Sequence, residues 1–353
     1  MEPASIAPRR PHSRFRVGAK FLHSRYTVLG KLGYGSYSTV WLCRDQSNKY
    51  VAVKVLTRTS VRSDPALSRE LGVYEHLSGL NSSHVGNAYI RGIYDNFELS
   101  NPYGVYRCLV HPPMHMSINA LRMRARSSRL SEPILKQTLI CLLQALDFLH
   151  GEANIISRAS NIMLSIEDET LLTEFQENEQ EHPSWRKVVD NNHVIYASRK
   201  LSRPRNDLWG QPVLCDLGEA MIGNSHKGNI QPDIYKAPEV QIWDIFENKH
   251  LFNALDEDKE YYPSHYVVEM VAYLGLPPLH FLQRSKWLGA GGVSIPSISM
   301  EESEENLRGQ DKQQFLQFMR SMLQWIPEER KTAKELLDDP WLKPISTISL
   351  LDD

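Results

Sequence analysis

Lys31-Leu32-Gly33-Tyr34-Gly35-Ser36-Tyr37-Ser38-Thr39-Val40 is followed by a second apolar run, Val51-Ala52-Val53-Lys54, that ends in a lysine. Two glycines one residue apart, between β-favouring runs, describe a hairpin. Neither carries a Cβ, so the backbone there can approach a phosphate closely. Lys54 then brings an ammonium group on the next strand. Each feature alone has an ordinary reading, a turn and a solvated strand lysine. Together they describe a loop that covers phosphates and a cation that pairs with them.

The chain has 353 residues, 41% hydrophobic and 23% charged. That balance suits a globular protein with a sizeable core in one large or two ordinary domains. A net charge of −2 supplies no global field toward nucleic acid or a membrane surface, and neither is expected as a direct partner. Cys43, Cys108, Cys141 and Cys215 are widely spaced and form no CxxC pair. This argues for a reducing compartment, cytoplasmic and/or nuclear, and against a disulfide framework or zinc site. No apolar run approaches the roughly 18 residues of a membrane span. No apolar stretch follows the N-terminal charges, so no secretory signal is expected.

Residues 1–25 hold Arg9, Arg10, Arg14, Arg16, Lys20 and Arg25 and read as a mobile basic tail. Residues 26–111 are strand-like, with β-branched and aromatic runs near 26–29, 39–43, 50–56, 90–94 and 105–110. One helix interrupts them, marked by Leu67, Leu71, Tyr74 and Leu77 or Leu80, and it carries Glu70. Five strands and one helix make a small lobe. In residues 112–345 helices dominate. Leu135, Leu139, Leu142, Leu146 and Leu149 form an apolar stripe that reads as core, and further helices are expected at 265–275, 311–325 and 331–338. Residues 167–212 form a polar insert, acidic at first, read as a solvated loop in preference to a docking surface for basic peptides. Residues 346–353 are a short tail. The expected fold class is α+β.

Phosphoryl transfer needs phosphates held in place, magnesium bridging them, and a carboxylate near the attacking hydroxyl. Gly33, Gly35 and Lys54 suit the first need. Lys54 needs a partner to keep it aimed; Glu70 is the first candidate and Glu75 the fallback. Magnesium wants hard oxygen ligands. Asp216, ending the apolar run Val213-Leu214-Cys215, suits one ligand, and Asn161, opening Asn161-Ile162-Met163-Leu164, the other.

With these residues in place, the chain resembles a eukaryotic protein kinase, specifically the SR-protein kinase family and its fungal relatives. Lys31 to Cys43 resembles that family's K-L-G-x-G-x-x-S-T-V-W-L, including serine where most kinases have a third glycine. Asp216-Leu217-Gly218 is similar to its magnesium motif and Ala237-Pro238-Glu239 to its A-P-E. Trp325 to Ala333 and Asp339-Pro340-Trp341-Leu342 resemble the closing kinase motif, in which Arg330 would pair with Glu239. The resemblance covers roughly residues 24–345. It implies a bilobal kinase-like fold, with a five-stranded N-lobe and a mainly helical C-lobe. It also implies ATP and Mg2+ as cofactors, an ATP site over Leu32, Gly33, Tyr34, Gly35, Ser36, Tyr37, Ser38, Thr39, Val40 and Lys54, and metal ligation by Asn161 and Asp216. The substrate it implies is a protein serine in an Arg/Ser-rich segment, met by a monomeric enzyme.

The pattern breaks in two places. A kinase catalytic loop reads H-R-D-x-x-x-x-N. Between Ile156 and Asn161 stand only Ser157, Arg158, Ala159 and Ser160, so three positions are missing and no aspartate remains. After Glu239 the chain passes almost directly to Gln241-Ile242-Trp243-Asp244, so roughly one large-lobe helix and its lead-in are missing too. Three readings stand: a nucleotide-binding pseudokinase, a mis-spliced or mispredicted form of an ordinary kinase, or a substitute carboxylate, with Glu152 the nearest acid. Between Gly218 and Ala237 the only hydroxyl-bearing residues are Ser225 and Tyr235, so no dependence on activation-loop phosphorylation is expected.

Overall fold

Valines, aromatics and threonines between Tyr26 and Leu56 alternate between two faces, and both faces find cover. The computed structural model describes residues 16–21, 24–35, 38–56, 65–101, 104–125, 129–156, 161–190, 193–205, 208–223, 238–252, 263–285 and 293–343. It opens with β1 (Lys20–Phe21), β2 (Tyr26–Tyr34), β3 (Ser38–Asp45), β4 (Tyr50–Leu56), α1 (Pro65–Gly79), β5 (Asp95–Asn101) and β6 (Gly104–His111). Next come α2 (Ile118–Arg124), α3 (Glu132–Asp147), β7 (Ile155–Ile156), β8 (Asn161–Leu164), α4 (Thr170–Glu181), β9 (Arg186–Asp190), β10 (His193–Tyr196), β11 (Pro212–Cys215) and β12 (Met221–Ile222). The chain closes with α5 (Pro238–Glu247), α6 (Pro263–Leu274), α7 (Leu279–Ser285), α8 (Met300–Ser303), α9 (Gly309–Met322) and α10 (Ala333–Leu337).

Two units divide these elements. The first takes residues 1–81, 90–117 and 161–218; the second takes 82–89, 118–160 and 219–353. The first unit is built on an antiparallel sheet in the order β1-β2-β3-β4-β6-β5. β4 is central and buried from Tyr50 to Val55. Val51, Val53 and Val55 pack with Tyr26, Val28, Trp41, Cys43, Phe97, Tyr106, Cys108 and Val110 in one core.

Three expectations need correction. The strand expected at 90–94 lies later: Ile90 makes only an isolated parallel bridge to Leu214, and the ladder with β6 begins at Asp95 opposite Val110. Pairing register, not local β-propensity, decides the matter. The basic tail does not stay mobile to residue 25. Gly18 N donates to Val28 O at 2.8 Å and Val28 N to Ala19 O at 3.0 Å, while Phe21 packs on Tyr26 and Phe97 with ring centroids 5.7 Å apart in each case. The five long strands therefore gain a two-residue sixth. The insert, finally, is no solvated loop. On α4, Leu171, Leu172, Phe175 and Glu179 share helical spacing and are all buried, against a net of acidic residues on the other side. Leu172, Phe175 and Leu201 join Leu42 and Tyr50 in a second cluster, and Tyr196 of β10 meets Trp41 edge-on at 5.7 Å.

The second unit is helical. The α3 leucines expected as core are buried, and the helix runs into a π-helical turn over Phe148–Glu152. Gly86 lies against α3 so closely that a Cβ there would fall 1.9 Å from Gln144 O. Trp243, Phe315, Phe318 and Trp341 form a fully buried aromatic core. Thr332 and Glu335 close α10 with a capping box. Among the described residues no helix is long and apolar enough to cross a membrane.

Candidate active site

The phosphate-type hairpin and the lysine share one row of the sheet. Gly33 pairs with Val40 across β2 and β3, and Val40 pairs with Lys54 across β3 and β4. Tyr34 faces Thr39, and Gly35 N donates to Ser38 O at 2.9 Å to close the turn. Nothing lies within 4 Å of where a Cβ on Gly33 would stand. Ser36 and Tyr37, at the tip, lie outside the described residues.

Lys54 is 9% exposed and Glu70, on α1, 4%. The Lys54 ammonium donates to Glu70 Oε1 at 3.0 Å, to Oε2 at 3.2 Å and to Asp216 Oδ1 at 3.1 Å. Glu75 is exposed and takes no part. Three remote segments (β4, α1 and the turn after β11) thus converge on one cation. Asp216 sits in the left-handed region, with φ +65°, a conformation aspartate tolerates better than most residues. A Cβ on Gly218 would stand 3.3 Å from Asp216 Oδ1 and 3.8 Å from Glu70 Oε2, so glycine leaves room beside both carboxylates.

Burial works to raise the Asp216 carboxyl, but the Lys54 charge and hydrogen bond, then Arg91, hold it below the usual carboxylate range. Its side chain keeps 46% of its surface open. Arg91 is the participant that sequence reasoning missed. Its guanidinium lies among Cys215, Tyr74, Asp216 and Glu70, and its backbone N donates to Leu214 O at 2.9 Å. A single arginine in an apolar run gives no signal of such a place. Lys54 is thus the cation that bonds both acids, and the Arg91 charge adds to the positive field around Asp216. His111, fully buried nearby on β6, is held far below its usual range by burial and then by Arg91, so it stays neutral.

Asn161 opens β8 opposite Cys215 of β11, which places it one ladder position from Asp216. Among the described residues no group of three or more His, Cys, Asp or Glu could hold a metal by itself. One carboxylate and one amide oxygen suit magnesium, which completes its shell with water and phosphate oxygens. The donor chemistry therefore fits Mg2+ with a nucleotide. Arg330 Nε donates to Gln324 O at 3.0 Å. The Glu239 side chain, the interval Ser157 to Ser160, Ser225 and Tyr235 lie outside the described residues. Glu152 is exposed at the end of the π-helical turn.

The protein kinase domain model matches residues 26–190. A serine/threonine protein kinase of Aspergillus fumigatus is 39% identical over 349 residues, covering 90% of this chain and 84% of that one. SRSF protein kinase 3 of Sus scrofa is 29% identical over 198 residues, 53% of this chain and 34% of that one. The serine/threonine-protein kinase SKY1 of Saccharomyces cerevisiae is 27% identical over 164 residues, 44% and 22% respectively. Among solved structures, a crystal structure of a kinase domain superposes with a TM-score of 0.64, at 16% identity, over 94% of this chain and 99% of that one. That likeness carries the fold, an antiparallel N-lobe sheet with a helical C-lobe; the first relative carries the family. Members of that family use ATP and Mg2+ in general and act on proteins. The chain belongs to the serine/threonine protein kinases.

Proposed function

We propose that this chain is an ATP-dependent protein kinase of the SR-protein kinase type, transferring the γ-phosphate to serine in Arg/Ser-rich proteins as a monomer in the cytoplasm and/or nucleus. The observation that carries the reading is the Lys54 ammonium held between Glu70 and Asp216, in the same sheet row as Gly33. In this reading Glu70 keeps Lys54 aimed at the phosphates. The hairpin from Leu32 to Val40 covers them. Asp216 and Asn161 hold magnesium, which screens the phosphate charge when bound. The likeness to SRSF protein kinase 3 supports the substrate class.

A specific observation favours a second reading. No aspartate stands between Ile156 and Asn161, so the sequence lacks the usual general-base aspartate. Loss of such a base costs a rate factor of roughly 10²–10⁴. The second reading is a pseudokinase that binds Mg-nucleotide and basic Ser-Arg segments without transfer. Labelled ATP, magnesium and an Arg-Ser peptide separate the two. Transfer abolished by Lys54→Met supports the enzyme. Peptide binding with transfer no greater than that of Lys54→Met supports the scaffold. Failure of Mg-nucleotide to bind well-folded protein in calorimetry removes both.

A further inference from the structure

The insert changes character at His182. Residues 167–181 hold Glu167, Asp168, Glu169, Glu174, Glu177, Glu179 and Glu181 and no lysine or arginine. Residues 182–200 hold Arg186, Lys187, Arg199 and Lys200 against Asp190 alone. This second, basic part contains the β9–β10 hairpin. Ile195 pairs with Lys187 and Tyr196 with Arg186, and Ala197 N donates to Trp185 O at 2.8 Å. Tyr196 and Val194 turn inward to the core of the first sheet. Alternation then places Trp185, Lys187, Ile195 and Ala197 on the opposite face.

That face is open. Trp185 is 89% exposed; Val188, paired with Val194 and so on the other face, is still 65% exposed, and Val189, at the irregularity in the ladder, 50%. Among the described residues β9 pairs with β10 alone, so its outer edge keeps free N–H and C=O groups. Trp185 and Ala197 also line an open cavity of about 500 Å³ with Glu181, His182, Ser184 and Arg199. Its floor is stiff: the buried Glu179 carboxylate accepts from Arg199 Nε at 2.6 Å, from Ser184 Oγ at 2.6 Å and from Ser184 N at 2.9 Å. An exposed tryptophan with aliphatic neighbours and a preorganised base is the composition of an interface centre, not of idle surface.

We propose that this face and the β9 edge dock a short extended segment of a partner protein in which acidic and apolar side chains alternate. The backbone would add as a strand, its apolar side chains on the face of Trp185 and Ile195 and its carboxylates, one position out of phase, on the other face beside Arg186. Charge selects the partner's sign. Area selects its size: a tryptophan buries roughly 150–250 Å², and with Ile195 beside it this falls short of the roughly 800 Å² per partner of a standard interface. A peptide fits that area better than a second copy of this chain.

The probe is a fluorescein-labelled peptide of about eight residues in which aspartate alternates with isoleucine, long enough to span β9. Anisotropy is read against the full chain. The expected result is saturable binding, weakened at least about tenfold by Trp185→Glu, as for an interface centre. Arg186→Glu and added salt should weaken it as well, and a proline at the peptide's centre should abolish it. Circular dichroism and Mg-nucleotide binding should not change in Trp185→Glu, because the side chain lies on the surface. Absence of saturable binding, indifference to Trp185→Glu, or tighter binding of a lysine-for-aspartate peptide would overturn the proposal. So would concentration-dependent self-association abolished by Trp185→Glu without any peptide binding, which would assign the face to a second copy.

Discussion

Phe175 stands against Gly30 so closely that a Cβ on the glycine would fall 2.7 Å from Cε1 of the ring. Gly30 lies three positions before Gly33, so the insert helix is packed directly on the strand that carries the phosphate-type turn. Gly30→Ala should therefore overpack this contact and cost about 1–3 kcal/mol, and Phe175→Ala should cost about 3–5 kcal/mol by opening a cavity. Because the two share one contact, the double variant should be more stable than the sum of the single losses allows. Urea unfolding of the three variants measures this, and strict additivity would remove the contact from the account.

Lys54→Met leaves the Glu70 carboxylate 4% exposed and deprived of its ammonium. An unpaired buried charge of this kind costs about 3–5 kcal/mol. Lys54→Met with Glu70→Gln should recover part of that loss. Neither variant should regain nucleotide affinity. Chemical denaturation reports the first effect and calorimetry with Mg-nucleotide the second.

The depressed Asp216 carboxyl gives a pH signature. Its folded pKa lies below its unfolded value, so its contribution is complete above the ordinary value of 3.8 and is lost as pH falls through the folded value. Asp216→Asn should therefore lower stability at pH 7 and leave little difference from the parent in strong acid. Its half-open side chain keeps the effect modest. Melting temperatures over an acid series check the sign.

Glu247 should behave in the opposite sense. It is 1% exposed, and burial pushes its carboxyl above the ordinary 4.5; the Asn306 hydrogen bond opposes this and the neighbouring Glu304 adds to it. A raised acid stabilises the fold below its unfolded pKa and loses that contribution as pH rises through the folded value. Glu247→Gln should therefore raise the melting temperature at pH 7, with the gap closing as pH falls below about 4.5, the unfolded reference. A lower melting temperature at pH 7 would contradict this reading.

Thr332 caps α10 from both sides: its hydroxyl accepts from Glu335 N at 3.2 Å, while Glu335 Oε2 accepts from Thr332 N at 2.8 Å. Thr332→Ala should cost about 1 kcal/mol. Thr332→Ser should cost much less, and equal losses would assign the effect to the methyl group.

The parts of the fold that showed in the sequence are those where periodicity and burial agree. The α3 leucines and the valines of β4 are examples, since each repeats at the spacing of its own element. The residues around Lys54 were legible because three motifs, each weak alone, occur in order. What did not show depended on distant pairing. Ile90 to Tyr94 has strand composition, yet the ladder starts at Asp95 because β6 sets the register. The acidic residues of α4 concealed three apolar side chains at helical spacing. Arg91 gave no sign, because its neighbours Tyr74, Cys215 and Asp216 come from three separate stretches.

Lys31, buried at 6% exposure, donates its ammonium to Tyr196 O at 3.1 Å across 165 positions of chain. The first unit therefore cannot be finished during synthesis until residue 218 has left the ribosome, although its sheet is encoded by residue 111. Until then β2 and β3 present an uncovered apolar flank, and the nascent chain must wait for the insert to shield it. A stalled or truncated product ending near residue 160 would carry every strand of that sheet and still be prone to aggregate.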